Sequence, residues 1–196
     1  QPLPPPRALI GSDMSPLRIT AFTDSRCEHC ASLHETLRTL RGSVAPGSYS
    51  VDARQFPLDG RCNSLLRPGE GDDVRCVAAK LLICAGPTGK ESDLASALFE
   101  KQAGLTGKQT REIAEQFLTK PQIASCLDST DTGAELERDI AAAARFDSDG
   151  TPIVAINGRK GTSFAPFLYV MVLTRGNANH PAFDGLPAGN PAAHLH

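Results

Sequence analysis

Leu17-Arg18-Ile19-Thr20-Ala21-Phe22-Thr23-Asp24-Ser25-Arg26-Cys27-Glu28-His29-Cys30-Ala31-Ser32-Leu33-His34 is the stretch from which the rest of the chain can be read. Up to Thr23 apolar and polar residues alternate, the period of a strand with one face buried, and Asp24 and Ser25 then mark a polar loop. After Cys27 the period changes. Cys30, Leu33, His34, Leu37 and Leu40 recur at helical spacing until Arg41-Gly42 closes the segment. Tyr49, Val51, Ala53 and Gln55, followed by Phe56-Pro57-Leu58, predict another strand, and the intervening helix makes it parallel to the first. A βαβ unit results, with Cys27 and Cys30 at the N-terminus of its helix. Upstream, Arg7 to Gly11 predicts a short extra strand.

Downstream, helical patterns cover Val74 to Cys84, Asp93 to Gln102 and Gln109 to Lys120, with Ser125 and Cys126 in a last short piece after Pro121. No strand interrupts them, so the block reads as a helical insertion, at about residues 62–130, within one α/β domain. A helix from Ala134 to Phe146 leads to Gly150-Thr151-Pro152, a strand Ile153-Val154-Ala155-Ile156, and a hairpin turn at Asn157-Gly158. Phe164 to Leu173 predicts a closing, buried helix. The organisation is thus a Pro-rich linker at 1–6, a domain at 7–175 and an extended tail at 176–196. The opening Gln1-Pro2-Leu3-Pro4-Pro5-Pro6 reads as the trimmed start of a chain in which stiff prolines join the domain to a signal, an anchor or another domain.

The chain has 196 residues, 20 basic and 22 acidic side chains, and 40% hydrophobic content. That mixture is a folded domain with no basic footprint for nucleic acid, and no apolar run reaches the roughly 18 residues of a membrane span. Six cysteines form an even set, which favours an oxidising compartment.

Two cysteines separated by two residues at a helix start can close a small disulfide, and the unpaired N–H groups there favour a thiolate on the first. A thiolate is both attacker and leaving group in disulfide exchange, so Cys27 is the candidate nucleophile, and Cys30, one turn deeper, the resolving thiol. No cofactor or metal is needed. An inert disulfide or half a zinc site is the plainer alternative, but a zinc knuckle would want a second close cysteine pair, which the spacings of Cys62, Cys76, Cys84 and Cys126 do not supply.

Ala21-Phe22-Thr23-Asp24, Cys27-Glu28-His29-Cys30, the helical insertion and Gly150-Thr151-Pro152 ahead of Ile153 to Gly158 together resemble the DsbA-like thioredoxin-fold thiol:disulfide oxidoreductases. The resemblance spans about residues 7–175. It implies a cis Pro152 beside the sulfurs, with the Thr151 backbone pairing with an extended substrate peptide. It also implies that His29 stabilises the thiolate. Glu28 stands where proline is common in that class, and its charge should oppose ionisation of Cys27 and leave it nearer 7 than the 3.5 of the strongest oxidants. Phe56-Pro57-Leu58-Asp59, Cys62-Asn63 and the helix of Cys76 and Cys84 resemble, more narrowly, domains found with vitamin K epoxide reductase homologues. That likeness implies a quinone-linked membrane partner and a periplasmic or other extracytoplasmic site, with a tether through a missing N-terminal segment.

For Cys62, Cys76, Cys84 and Cys126 a stapling role is expected ahead of an electron relay, and three connectivities are open. The resemblance favours Cys84 with Cys126, which leaves Cys62 with Cys76. Glu28 and Asp59 are candidate carriers of the Cys30 proton, on a par with water or a backbone-assisted path. His34 reads as packing, His194 and His196 as a weak metal-capture guess, and Phe22, Phe56, Phe146 and Ile153 as core. The functional expectation is exchange of disulfides with secreted or periplasmic proteins; a disulfide isomerase or reductase, or a catalytically silent peptide-binding module, is the alternative.

Overall fold

The computed structural model describes residues 3–6, 9–177, 179–181 and 184. Five strands form one sheet in the order β1-β3-β2-β4-β5, from β1 (Leu9–Ile10), β2 (Arg18–Thr23), β3 (Ser50–Gln55), β4 (Ile153–Ile156) and β5 (Arg159–Lys160). β2 and β3 run parallel, Ala21 opposite Ala53, and every other pair is antiparallel. Helix α1 (Glu28–Ser43) makes the crossover between the parallel strands, so its N-terminus lies at the end where β2 finishes and β4 begins.

One core cluster joins β2, β3, β4 and α1 through Ile19, Leu33, Leu37, Val51 and Val154 to the closing helix α7 (Ala165–Leu173). On the other side Phe22, Phe56, Phe146 and Ile153, all buried, meet α2 (Val74–Ala85) and α6 (Thr130–Ala143); the Phe22 and Phe146 ring centroids are 5.8 Å apart. Each fully buried side chain of this size contributes on the order of 2 kcal/mol through removal from water.

α2 is the hub of the insertion, packed by α3 (Glu91–Glu100), α4 (Gly107–Ala114) and α5 (Lys120–Asp128) around Leu81, Leu94, Leu98 and Leu105. The pattern read as one helix from Gln109 to Lys120 is divided here. Thr106 with Gln109, and Thr119 with Gln122, form reciprocal capping boxes, so one helix starts at Gly107 and another at Lys120, with a turn between. Two disulfides staple the region: Cys62–Cys76 (Cα–Cα 5.9 Å) and Cys84–Cys126 (6.1 Å).

Two further expectations differ from the structure. Residues 3–6 do not stand off as a spacer. Leu3 packs against the Phe22 cluster, and the buried Arg54 donates to the carbonyls of Pro4 (2.7 Å) and Pro5 (3.1 Å) while paired with Asp52 and Asp139. A buried guanidinium has five donors to satisfy, and these proline carbonyls meet part of that demand. Helix α7, apolar all round in sequence, buries Leu168, Met171 and Val172 but leaves Tyr169 at 41% and Leu173 at 58% exposure, because the sheet and α1 cover only one of its sides. His194 and His196 lie outside the described residues.

Candidate active site

Cys27 is the N-cap of α1, with extended backbone (φ −93°, ψ 116°), and its sulfur accepts the Cys30 N–H at 3.2 Å. Its thiol donates to the Thr151 carbonyl oxygen at 3.2 Å, across 124 residues of sequence. The Thr151–Pro152 peptide is cis. Cys30 is fully buried, and the Asp24 N–H donates to its sulfur at 3.5 Å. Both cysteines are free thiols, so this is the reduced site. The crossover dictates the arrangement: β2 delivers Asp24 and Cys27, α1 turns Cys30 inward, and β4, antiparallel beside β2, begins one residue after Pro152.

The two sulfurs are driven apart in acidity. Cys27 falls from an ordinary 9.0 to about 6, chiefly because the Cys30 thiol can hydrogen-bond its charged form; burial opposes this, and the Thr151 side chain and Cys30 N–H add to it. Cys30 rises far above the ordinary thiol range, through burial first and then through its neighbour Cys27. The Thr151 hydroxyl is buried without an ordinary hydrogen bond, yet its side chain favours the charged form of both sulfurs. One sulfur is thus prepared to ionise and the other to hold its proton.

Glu28 and His29 are both exposed, and neither is among the leading influences on Cys27. The carboxylate that opposes ionisation of Cys27 is Asp24, in the polar loop after β2, and its effect is the smallest of the leading ones acting on that sulfur. It is buried; its oxygens accept the N–H groups of Arg26 (2.7 Å) and Leu58 (2.7 Å), and it pairs with the Arg75 guanidinium. A buried acid three residues before the first cysteine, matched by a cation on α2, is invisible to motif reading, because the pair is distant in sequence. Asp59 does not join the dithiol. Its carboxylate accepts the N–H groups of Arg61 (2.9 Å) and Asp73 (3.0 Å) and so organises the loop ahead of α2, where a Cβ on Gly71 would stand 2.2 Å from it. His34 hydrogen-bonds Ser96 (2.8 Å) and lies against Phe99, with its pKa lowered mainly by burial. No cluster of three or more His, Cys, Asp or Glu suited to a metal occurs among the described residues.

A family model described as Thioredoxin matches residues 4–165, most of the chain. The chain belongs to the thioredoxin family. Within it, the fold is that of DsbA-like proteins. Structures similar to this thioredoxin-family chain include a thioredoxin-like oxidoreductase from Silicibacter pomeroyi DSS-3, at 18% identity and TM-score 0.67, covering 87% of this chain and 92% of that one. Wolbachia pipientis alpha-DsbA1 matches at 19% identity and TM-score 0.64 over 89% and 96%. A protein-disulfide isomerase from Novosphingobium aromaticivorans matches at 21% and 0.62 over 84% and 96%. At these identities the likeness is one of fold. No curated protein matches the sequence.

Proposed function

We propose that the chain is an extracytoplasmic thiol–disulfide oxidoreductase that passes a disulfide from Cys27–Cys30 to secreted or periplasmic proteins. The observation that carries this reading is the unequal pair: a partly exposed Cys27, shifted to about 6, over a buried Cys30 that keeps its proton. In the oxidised protein a substrate thiolate attacks Cys27 Sγ, the Cys27–Cys30 bond breaks, and Cys30 leaves with the electron pair and takes a proton. A second substrate thiolate then attacks the substrate sulfur of the mixed disulfide, and Cys27 departs as the stabilised thiolate. The substrate loses two electrons and two protons; the dithiol gains both electrons and one proton, on Cys30, and the other proton goes to water because Cys27 stays a thiolate. Thr151 and Pro152 supply the ledge along which an extended peptide lies, and the Thr151 carbonyl beside Cys27 supports that role.

The two further disulfides support an oxidising compartment. Reoxidation falls to a quinone-linked membrane protein of the vitamin K epoxide reductase kind, in keeping with the Phe56-Pro57-Leu58-Asp59 and Cys62-Asn63 signature. Among the described residues no helix is long and apolar enough to cross a membrane.

The test is the reduction potential of the pair in glutathione buffers, read by mass shift after alkylation, with Cys27→Ser as control. A value near about −120 mV supports donation of disulfides, and one near about −270 mV replaces it with a reductase. A pair that does not exchange at all leaves a peptide-binding module.

A further inference from the structure

Beneath the dithiol lies a charge cluster that the exchange chemistry above does not use. Asp24 is only 1% exposed, and its two oxygens take three donors: the N–H groups of Arg26 and Leu58, and the guanidinium of Arg75. Its own N–H reaches Cys30 Sγ, so one residue touches the inner sulfur with its backbone and the helical insertion with its side chain. Arg75 lies in the first turn of α2, next to Cys76, whose disulfide to Cys62 ties that turn to the preceding loop. The other charged groups close a ring. Arg26 pairs with Asp72 (2.7 Å) and donates to the Leu105 carbonyl (2.6 Å), and Asp72 and Asp59 act on Arg75 together with Asp24.

A thiolate on the partly exposed Cys27 places a second negative charge near a buried carboxylate, and a cation paired with that carboxylate reduces the repulsion between them. Arg75 is the cation in direct contact with Asp24.

We propose that Arg75 is a positioning residue of the dithiol: by holding and neutralising the Asp24 carboxylate on the insertion side, it keeps Cys27 able to carry a negative charge, so that the insertion tunes the redox pair. The proposal rests on the reading of Cys27 and Cys30 as an exchanging dithiol. It assigns opposite signs to two substitutions. Arg75→Met leaves the carboxylate unanswered and disfavours the thiolate; Asp24→Asn removes the repulsion and leaves the Arg75 charge without its carboxylate, favouring it.

The experiment is a pH titration of iodoacetamide alkylation and of thiolate absorbance on the reduced full chain, for wild type, Arg75→Met, Arg75→Lys, Asp24→Asn and the double variant, with the glutathione equilibrium measured alongside. For Arg75→Met we expect the Cys27 midpoint to rise by about one pH unit, roughly a fivefold loss of thiolate at pH 6. Tenfold in the exchange constant corresponds to about 30 mV toward a more reducing pair. Asp24→Asn should shift the midpoint down, the double variant should return near wild type, and Arg75→Lys should lie between wild type and Arg75→Met.

Singles that leave the midpoint in place, or move it in the same direction, overturn the proposal; so does a variant that loses stability with its midpoint unchanged. Should Arg75→Met fail to fold, Asp24→Asn and Arg75→Lys decide on the same criteria. A wild-type pair that does not exchange with glutathione sinks the functional reading itself, whereas normal wild-type exchange with unmoved variants sinks only the role of Arg75.

Discussion

Replacing Cys30 by alanine should make Cys27 a weaker acid, although no charge is removed. In the reduced site the Cys30 thiol is the largest influence lowering Cys27 from 9.0 to about 6; the backbone N–H at position 30 and the Thr151 side chain are lesser ones, and both survive the substitution. With a midpoint near 6, roughly nine-tenths of Cys27 is thiolate at pH 7, against about 1% for an unshifted thiol. Loss of the strongest donor should carry the midpoint above about 7 and cut the thiolate fraction at pH 7 below about half. The assay is the pH profile of iodoacetamide alkylation, checked by thiolate absorbance. Its midpoint is the readout, because intrinsic nucleophilicity falls with acidity: a Brønsted slope of about 0.45 over three units gives back roughly twentyfold of the gain in thiolate. A Cys30→Ala midpoint that stays near 6 would refute the assignment to the Cys30 thiol, and a wild-type midpoint near 8.5 would refute the whole account of the site. The sign also fixes a stability window. A thiol whose folded pKa is depressed stabilises the reduced protein in full above about pH 9, and that stabilisation is lost as pH falls through about 6.

Further outcomes follow from packing and from the staples. Cys62→Ser with Cys76→Ser opens a loop of 14 residues' separation and should lower denaturant stability by about 3 kcal/mol; an unchanged midpoint of unfolding would show that the loop holds itself. Arg54→Met removes the cation shared by the buried Asp52 and Asp139 and should cost about 3–5 kcal/mol in the same assay; a loss below about 1 would show that the two carboxylates do not depend on it. Leu94→Ala, at the fully buried centre of the insertion core, should cost about 2–5 kcal/mol by denaturant titration; a loss below about 1 would mean that the insertion is loosely packed.

The change of period at Cys27 made β2 and α1 legible, because alternation and helical recurrence are local properties of one stretch. Gly150-Thr151-Pro152 ahead of four apolar residues did the same for β4. The division of the insertion helices was also written in the sequence, in Thr106 to Gln109 and Thr119 to Gln122, but a reading by hydrophobic period passes over caps that are wholly polar. What sequence could not supply is adjacency between distant polar residues. Glu28 and His29 sit between the cysteines and therefore drew attention, yet a helix start turns both toward solvent. Asp24 and Arg75 are 51 residues apart and meet only because β2 ends where α2 begins its first turn. Asp59 looked chemical and proved architectural for the same reason: its partners are backbone N–H groups of its own loop, which no residue pattern announces.

The contact between the Cys27 thiol and the Thr151 carbonyl brings together a residue near the start of the chain and one near its end. Neither half holds the site alone, and a contact of such long range forms only when the loop entropy of most of the chain has been overcome. During synthesis, while Thr151 is still to be made, Cys27 lacks the Thr151 side chain and a closed fold to hold the Cys30 thiol against it, and its acidity stays nearer that of an ordinary thiol. Its acidity is therefore a property of completion. A dithiol assembled across so much sequence gains its full asymmetry only when the fold has closed.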